Sequence, residues 1–153
     1  MRKALLVLAC CGFAASLWAA DAFVGTWKLN PTMTKVTGSG SADRSATAII
    51  ESQENGIKLT VDVVDAAGKP IHMEFAAKYD GKDYAVKGYA TIETVSIRRI
   101  NNDTHDRLYK NGGKEVLSER AVTSRDGRTG TVIQKGKDAK GQDFTVVTVW
   151  EKQ

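Results

Sequence analysis

The sequence has 153 residues, 26% of them charged, with 22 Lys and Arg against 18 Asp and Glu for a formal net charge of +4 at pH 7. So mild and evenly spread an excess argues against a nucleic-acid-binding protein or one drawn to an anionic membrane surface. Two cysteines and two histidines without ligand spacing leave no metal constellation of the familiar kinds.

The chain opens with Arg2 and Lys3, then an apolar run from Ala4 to Leu17 broken only by Gly12 and Ser16. The run is too short to span a bilayer and small residues follow it, which is the pattern of a secretory signal over residues 1–22. Cleavage after Ala22 places Ala20 and Ala22 at the two small-residue positions, whereas cleavage after Ala20 puts bulky Trp18 at one of them. The expected protein is therefore exported, periplasmic or secreted, with no integral membrane segment in the mature chain. Both cysteines, Cys10 and Cys11, fall inside that signal; a lipid-modified Cys10 would leave only six residues after Lys3, too few for a full apolar region. Without cysteine, the mature chain is expected to lack disulfides, thiolate metal sites and a cysteine nucleophile. Residues 23–153 carry 20 basic and 17 acidic side chains, a net charge of +3, and their length fits a single domain.

From Ser45 onward, alternating apolar and polar runs are separated by turn signals such as Glu54-Asn55-Gly56, Asp80-Gly81-Lys82, Asn111-Gly112-Gly113 and Arg125-Asp126-Gly127. Gly, Asn and Asp tolerate the positive φ angles that tight hairpins demand. The pattern predicts strands near 24–29, 45–53, 57–65, 70–79, 83–88, 92–100, 104–110, 114–124, 128–136 and 143–151. Loops this short make consecutive strands antiparallel neighbours. An all-β meander with no covering helix must close to protect its edges, so the expectation is an up-and-down antiparallel β-barrel of about 8–10 strands. The Thr, Ser and Gly-rich stretch from Asn30 to Arg44 has no helical stripe and reads as an irregular loop, a candidate flap over one barrel end.

Alternation assigns faces. Ile57, Leu59, Val61 and Val63 share one side, and so do Ile71, Met73, Phe75, Ala77 and Tyr79 in the next strand. Three other rows mix apolar with polar residues: Val116, Ser118, Arg120 and Val122; Val95, Ile97 and Arg99; and Phe144, Val146, Thr148 and Trp150.

The stretch Phe23-Val24-Gly25-Thr26-Trp27-Lys28-Leu29 resembles the first-strand Gly-x-Trp motif of the calycin superfamily, the lipocalins and fatty-acid-binding proteins, and Val147-Thr148-Val149-Trp150-Glu151-Lys152 is similar to the closing strand of the latter. The resemblance implies that Trp27 packs across one barrel end and that Gly25 permits close backbone approach, a structural pair without chemistry. Gly-Thr-Trp-Lys-Leu-Asn-Pro, Asp-Ala-x-Gly-Lys-Pro and Lys-Tyr-Asp-Gly-Lys-Asp-Tyr together resemble small exported bacterial lipocalin-like proteins of unassigned function. Two departures stand out. Thr148 occupies the place, two residues before Trp150, where fatty-acid-binding proteins carry a carboxylate-binding arginine, and the two helices that cover their barrel are replaced by the Thr, Ser and Gly stretch.

On this reading the chain binds a small hydrophobic or amphipathic molecule in its interior, as a monomer, with no cofactor and no enzymatic activity. Candidate ligand contacts are Arg120, Tyr79, Trp150, Phe75, Met73 and Arg99. An inward Arg120 either pairs with a buried carboxylate or backbone oxygens, packs over Trp27, or faces a wet cavity that receives an anion. Arg98 points opposite to Arg99, so a small bulge would exchange them. His72 falls on the face of Glu74 and Lys78, His105 sits by the turn at Asp103, and Glu93, Glu115 and Glu119 read as strand-surface acids. No nucleophile elbow or Gly-rich oxyanion loop accompanies them. The alternative is a solid-cored envelope interaction or inhibitor module that works through its surface loops, with 30–44 and 138–142 foremost.

Overall fold

Period-two burial is visible directly in the second strand, where Ala46, Ala48 and Ile50 are buried and the residues between them exposed. A computed structural model describes residues 21–153, so the expected signal segment lies outside the described residues except for Asp21 and Ala22. The described residues form ten strands: β1 (Gly25–Gly38), β2 (Ser45–Gln53), β3 (Gly56–Val64), β4 (Pro70–Lys78), β5 (Tyr84–Lys87), β6 (Thr94–Asn101), β7 (Thr104–Asn111), β8 (Lys114–Thr123), β9 (Thr129–Lys137) and β10 (Asp143–Lys152). Each pairs antiparallel with its sequence neighbour, and β1 pairs with β10, so the sheet closes as a barrel without a free edge. No helix occurs among the described residues.

The turns between strands take the chemistry the sequence offers. Asn55 adopts φ 55°, the left-handed conformation that a two-residue hairpin between β2 and β3 requires and that Asn supplies at low cost.

One expectation is corrected. Most of the stretch from Asn30 to Arg44 is strand, not loop: β1 runs to Gly38 and stays paired with β10 through Val36↔Val146 and Gly38↔Phe144. Between Asn30 and Lys35 the register slips, because β1 advances five residues while β10 advances two, from Val149 to Val147. Pro31 has no N–H for the ladder, and Asn30 Oδ1 accepts from Thr32 N and Thr32 Oγ1, which supports the chain where the ladder breaks. Beyond the bulge, Val36 and Thr37 have the β-branched shape that suits a strand. Only residues 39–44 remain as connection.

The barrel has two unlike ends. At one, the turns following β2, β4, β6 and β8 converge with residues 21–24. Trp27 is buried there and donates from Nε1 to the Phe23 carbonyl at 2.8 Å. Lys152 Nζ lies 5.1 Å from the Trp27 ring centroid, and Gly25, at φ 139°, has no Cβ to obstruct its stem: one placed there would sit 2.6 Å from Lys152 Cε. The glycine lying against the indole itself is Gly130, where a Cβ would come within 3.4 Å of Trp27 Cζ3. Ile57, Val95 and Ile97 have no exposed surface, and each contributes about 1.5–3 kcal/mol of burial free energy. At the other end, residues 39–44 and the connections after β3, β5, β7 and β9 form a rim around an unfilled interior.

Candidate functional site

A cavity of about 430 Å³ occupies the barrel and reaches the rim at Ser39, Gly40, Asp43, Tyr89 and Asp138. Its upper wall is apolar, with Val61, Val63, Met73, Leu117 and Val146 facing one another across strands. Its lower part carries a polar cluster built mainly on β7 and β8.

On β7 the inward row is His105, Arg107 and Tyr109, all buried. Across the ladder Arg107 faces Glu119 of β8, and Glu119 in turn faces Gln134 of β9. Glu119 is the centre of the cluster: it accepts from the Tyr109 hydroxyl at 3.0 Å and from Gln134 Nε2 at 2.6 Å, while Arg107 Nε lies 2.9 Å from its Oε2 with the N–H axis poorly aligned on it. Arg107 and Glu119 are each 8% exposed. Burial alone would draw the guanidinium pKa down, but the Glu119 charge, with Tyr109 and Tyr79, carries it above its ordinary value, so Arg107 stays cationic. Burial drives the Tyr109 phenol upward and keeps it neutral.

Toward the closed end, His105 lies against Phe23, with ring centroids 4.1 Å apart, and neither of its ring nitrogens has a partner. Burial, then the Arg107 and Arg99 charges, push its pKa from 6.5 down to about 2, so the imidazole is neutral. Thr123, one inward position beyond Ala121, the cross-strand partner of His105, has a buried hydroxyl without a partner. On β10 the Trp150 indole donates to Thr148 Oγ1 at 2.9 Å.

The sequence-based candidates scatter. Met73 and Trp150 line the cavity. Phe75 is buried in the core and Tyr79 packs at the closed end, neither of them lining it. Arg99 stacks its guanidinium 4.2 Å from the Tyr79 ring centroid and pairs with Asp21, to which Tyr79 also donates at 2.6 Å. Arg120 is corrected outright in its placement: it is exposed on the outer face, bound to Asp106 at 2.7 and 2.8 Å. Alternation points to the row Val116, Ser118, Arg120 and Val122 of β8, whereas the inward one is Leu117, Glu119, Ala121 and Thr123. Glu119, expected at the surface, and His105, expected beside a turn, are both interior. His72 does face outward and meets Asp62 Oδ1 at 2.7 Å. Arg107 was missed because β7 reads Thr-His-Asp-Arg-Leu-Tyr-Lys-Asn, with no apolar row to orient it.

No protein-family model and no curated protein sequence matches this chain. Solved structures do match. One is the crystal structure of zebrafish ileal bile acid-binding protein complexed with cholic acid, with a TM-score of 0.50 and 12% identity, covering 86% of this chain and 99% of that one. At such low identity the likeness is one of fold. The chain has a closed ten-stranded antiparallel barrel, similar in fold to that bile acid-binding protein and without helices among the described residues.

Proposed function

We propose that this protein is an exported, monomeric binding protein, and not an enzyme, that holds a small hydrophobic or amphipathic molecule inside its barrel. The carrying observation is the cavity of about 430 Å³ with an apolar wall and a few convergent polar groups. Ligand pockets commonly have that composition and volumes of roughly 300–1,000 Å³. The zebrafish neighbour holds cholic acid, which is in keeping with this reading. Export rests on the Arg2-Lys3 and Ala4–Leu17 pattern. Binding without chemistry is supported by the site itself: its imidazole is neutral, with no carboxylate hydrogen-bonded to orient it, and Glu119 is engaged by Tyr109 and Gln134 beside the Arg107 charge. No observation favours the filled barrel acting through its loops.

The test is uptake of the neutral fluorophore N-phenyl-1-naphthylamine by the mature protein purified from the exported fraction. Saturable enhancement is expected, and Ala46→Trp, which adds bulk at a buried wall position on the rim side of β2, should abolish it. Absence of saturable uptake by the folded wild-type protein would refute the reading.

A further inference from the structure

Three properties of the cavity bear on the charge of its occupant. The first is charge compensation. Arg107 is the only Lys or Arg among the lining residues, and Glu119 already stands 2.9 Å from it in an equally buried position. An incoming carboxylate would meet a guanidinium whose field is largely cancelled, and would sit beside a second carboxylate in a low-dielectric interior.

The second is the set of groups left wanting. His105 offers two ring nitrogens without partners and Thr123 an unpartnered hydroxyl, both in residues more than nine-tenths buried. A neutral imidazole is a donor at one nitrogen and an acceptor at the other, and a threonine hydroxyl is both at once. A carboxylate accepts only, so it would leave the imidazole acceptor unpaired; an ammonium donates only, so it would leave the imidazole donor unpaired. A hydroxyl or amide head supplies both roles.

The third is the route in. The rim carries Asp43 and Asp138, so with Glu119 the lining holds three carboxyl groups against one guanidinium. Carboxylates around an opening with low-dielectric walls repel anions on their way through.

We propose that the ligand is an uncharged amphiphile with a hydroxyl or amide head, bound head-down against His105, Arg107 and Thr123 with its apolar part toward the rim. This rests on the binding function proposed above and narrows it to a class of molecule. It also departs from the carboxylate capture that the barrel's resemblance implies, because this chain matches its interior arginine with an interior glutamate.

The experiment is displacement of N-phenyl-1-naphthylamine from the mature protein at pH 7.5 by three probes of one chain length: 1-dodecanol, dodecanoate and dodecylammonium. The alcohol is expected to bind at least tenfold more tightly than either ion. Thr123→Val should raise the ratio of the alcohol's dissociation constant to the fluorophore's severalfold over that of the wild-type protein. Glu119→Gln, checked for folding by circular dichroism, leaves Arg107 uncompensated and should tighten dodecanoate at least tenfold. Equal or tighter binding of either ion by the wild-type protein overturns the proposal, as does failure of the alcohol to displace a fluorophore that is bound. The wild-type comparison stands even if Glu119→Gln does not fold. Failure of the fluorophore itself to bind is a separate result, which removes the binding function along with its ligand class.

Discussion

His105 makes the barrel sensitive to acid in a way that one substitution can isolate. Its imidazole is 1% exposed, lies against Phe23, and has a pKa pushed from 6.5 to about 2 by burial and by the Arg107 and Arg99 charges. The sign follows from proton binding. Below pH 6.5 the unfolded chain takes up a proton at this residue and the folded chain does not, so the unfolded state gains. Stability is therefore complete above about pH 6.5 and falls with decreasing pH until the folded value is reached. At about 1.4 kcal/mol per pH unit for one proton, moving from pH 7 to pH 4.5 removes about 2.5 kcal/mol through this group alone. That is a large part of the roughly 5–15 kcal/mol that holds a typical domain folded. Urea unfolding of the wild-type protein and of His105→Phe at the two pH values measures it, with carboxylate contributions common to both proteins cancelling in the difference. The wild-type loss should exceed the variant's by about 2.5 kcal/mol. Equal losses would refute the reasoning, since they would mean that His105 protonates in the folded barrel without penalty.

The buried pair should behave asymmetrically. Arg107→Met leaves Glu119 charged and uncompensated and should cost about 3–5 kcal/mol in urea unfolding, whereas Arg107→Met with Glu119→Leu should recover most of that loss. Arg120→Ala should leave uptake of N-phenyl-1-naphthylamine unchanged in titration, because the side chain lies on the outer face with Asp106. A chain cut after Ala22 should be less stable than one beginning at Asp21 by about 1–2 kcal/mol, since Asp21 receives the Tyr79 hydroxyl and pairs with partly exposed Arg99. Thermal melts of the two forms test this, and the intact mass of the exported protein reports which form the cell makes.

The fold was legible because a closed meander writes itself twice, in turn chemistry and in alternation. Nine of the ten strands stand within two residues of where the turns placed them at each end. β1 was truncated in the reading because a bulge over residues 30–35 disrupts the alternation that would have extended it. The site was less legible, and the hairpin of β7 and β8 shows why. It sets Asp106 opposite Arg120 and Arg107 opposite Glu119, two oppositely charged pairs on adjacent rungs and therefore on opposite faces. Both rows of β8 mix apolar with charged residues, so composition cannot say which pair is interior. Only closure of the barrel decides, by carrying the parity of strands such as β3 and β4, where an apolar row is plain, around to β7. Met73 lies on just such a strand, and Trp150 on a row of β10 in which Thr148 is the one polar residue.

The interior polar groups also separate stability from function. A buried donor or acceptor without a partner costs about 1–3 kcal/mol, and a barrel under selection for stability alone would have apolar side chains at positions 105 and 123. Replacing His105 by Phe or Thr123 by Val should therefore leave the empty barrel at least as stable at pH 7. If the same two substitutions weaken 1-dodecanol severalfold, the groups that strain the empty barrel are those that its occupant relieves. A ligand that binds only the folded state then returns the lost stability by mass action, and the melting temperature should rise with 1-dodecanol concentration in the wild-type protein more than in either variant. A rise of equal size in all three would assign the affinity to the apolar wall and leave the polar floor as a structural cost without a binding role.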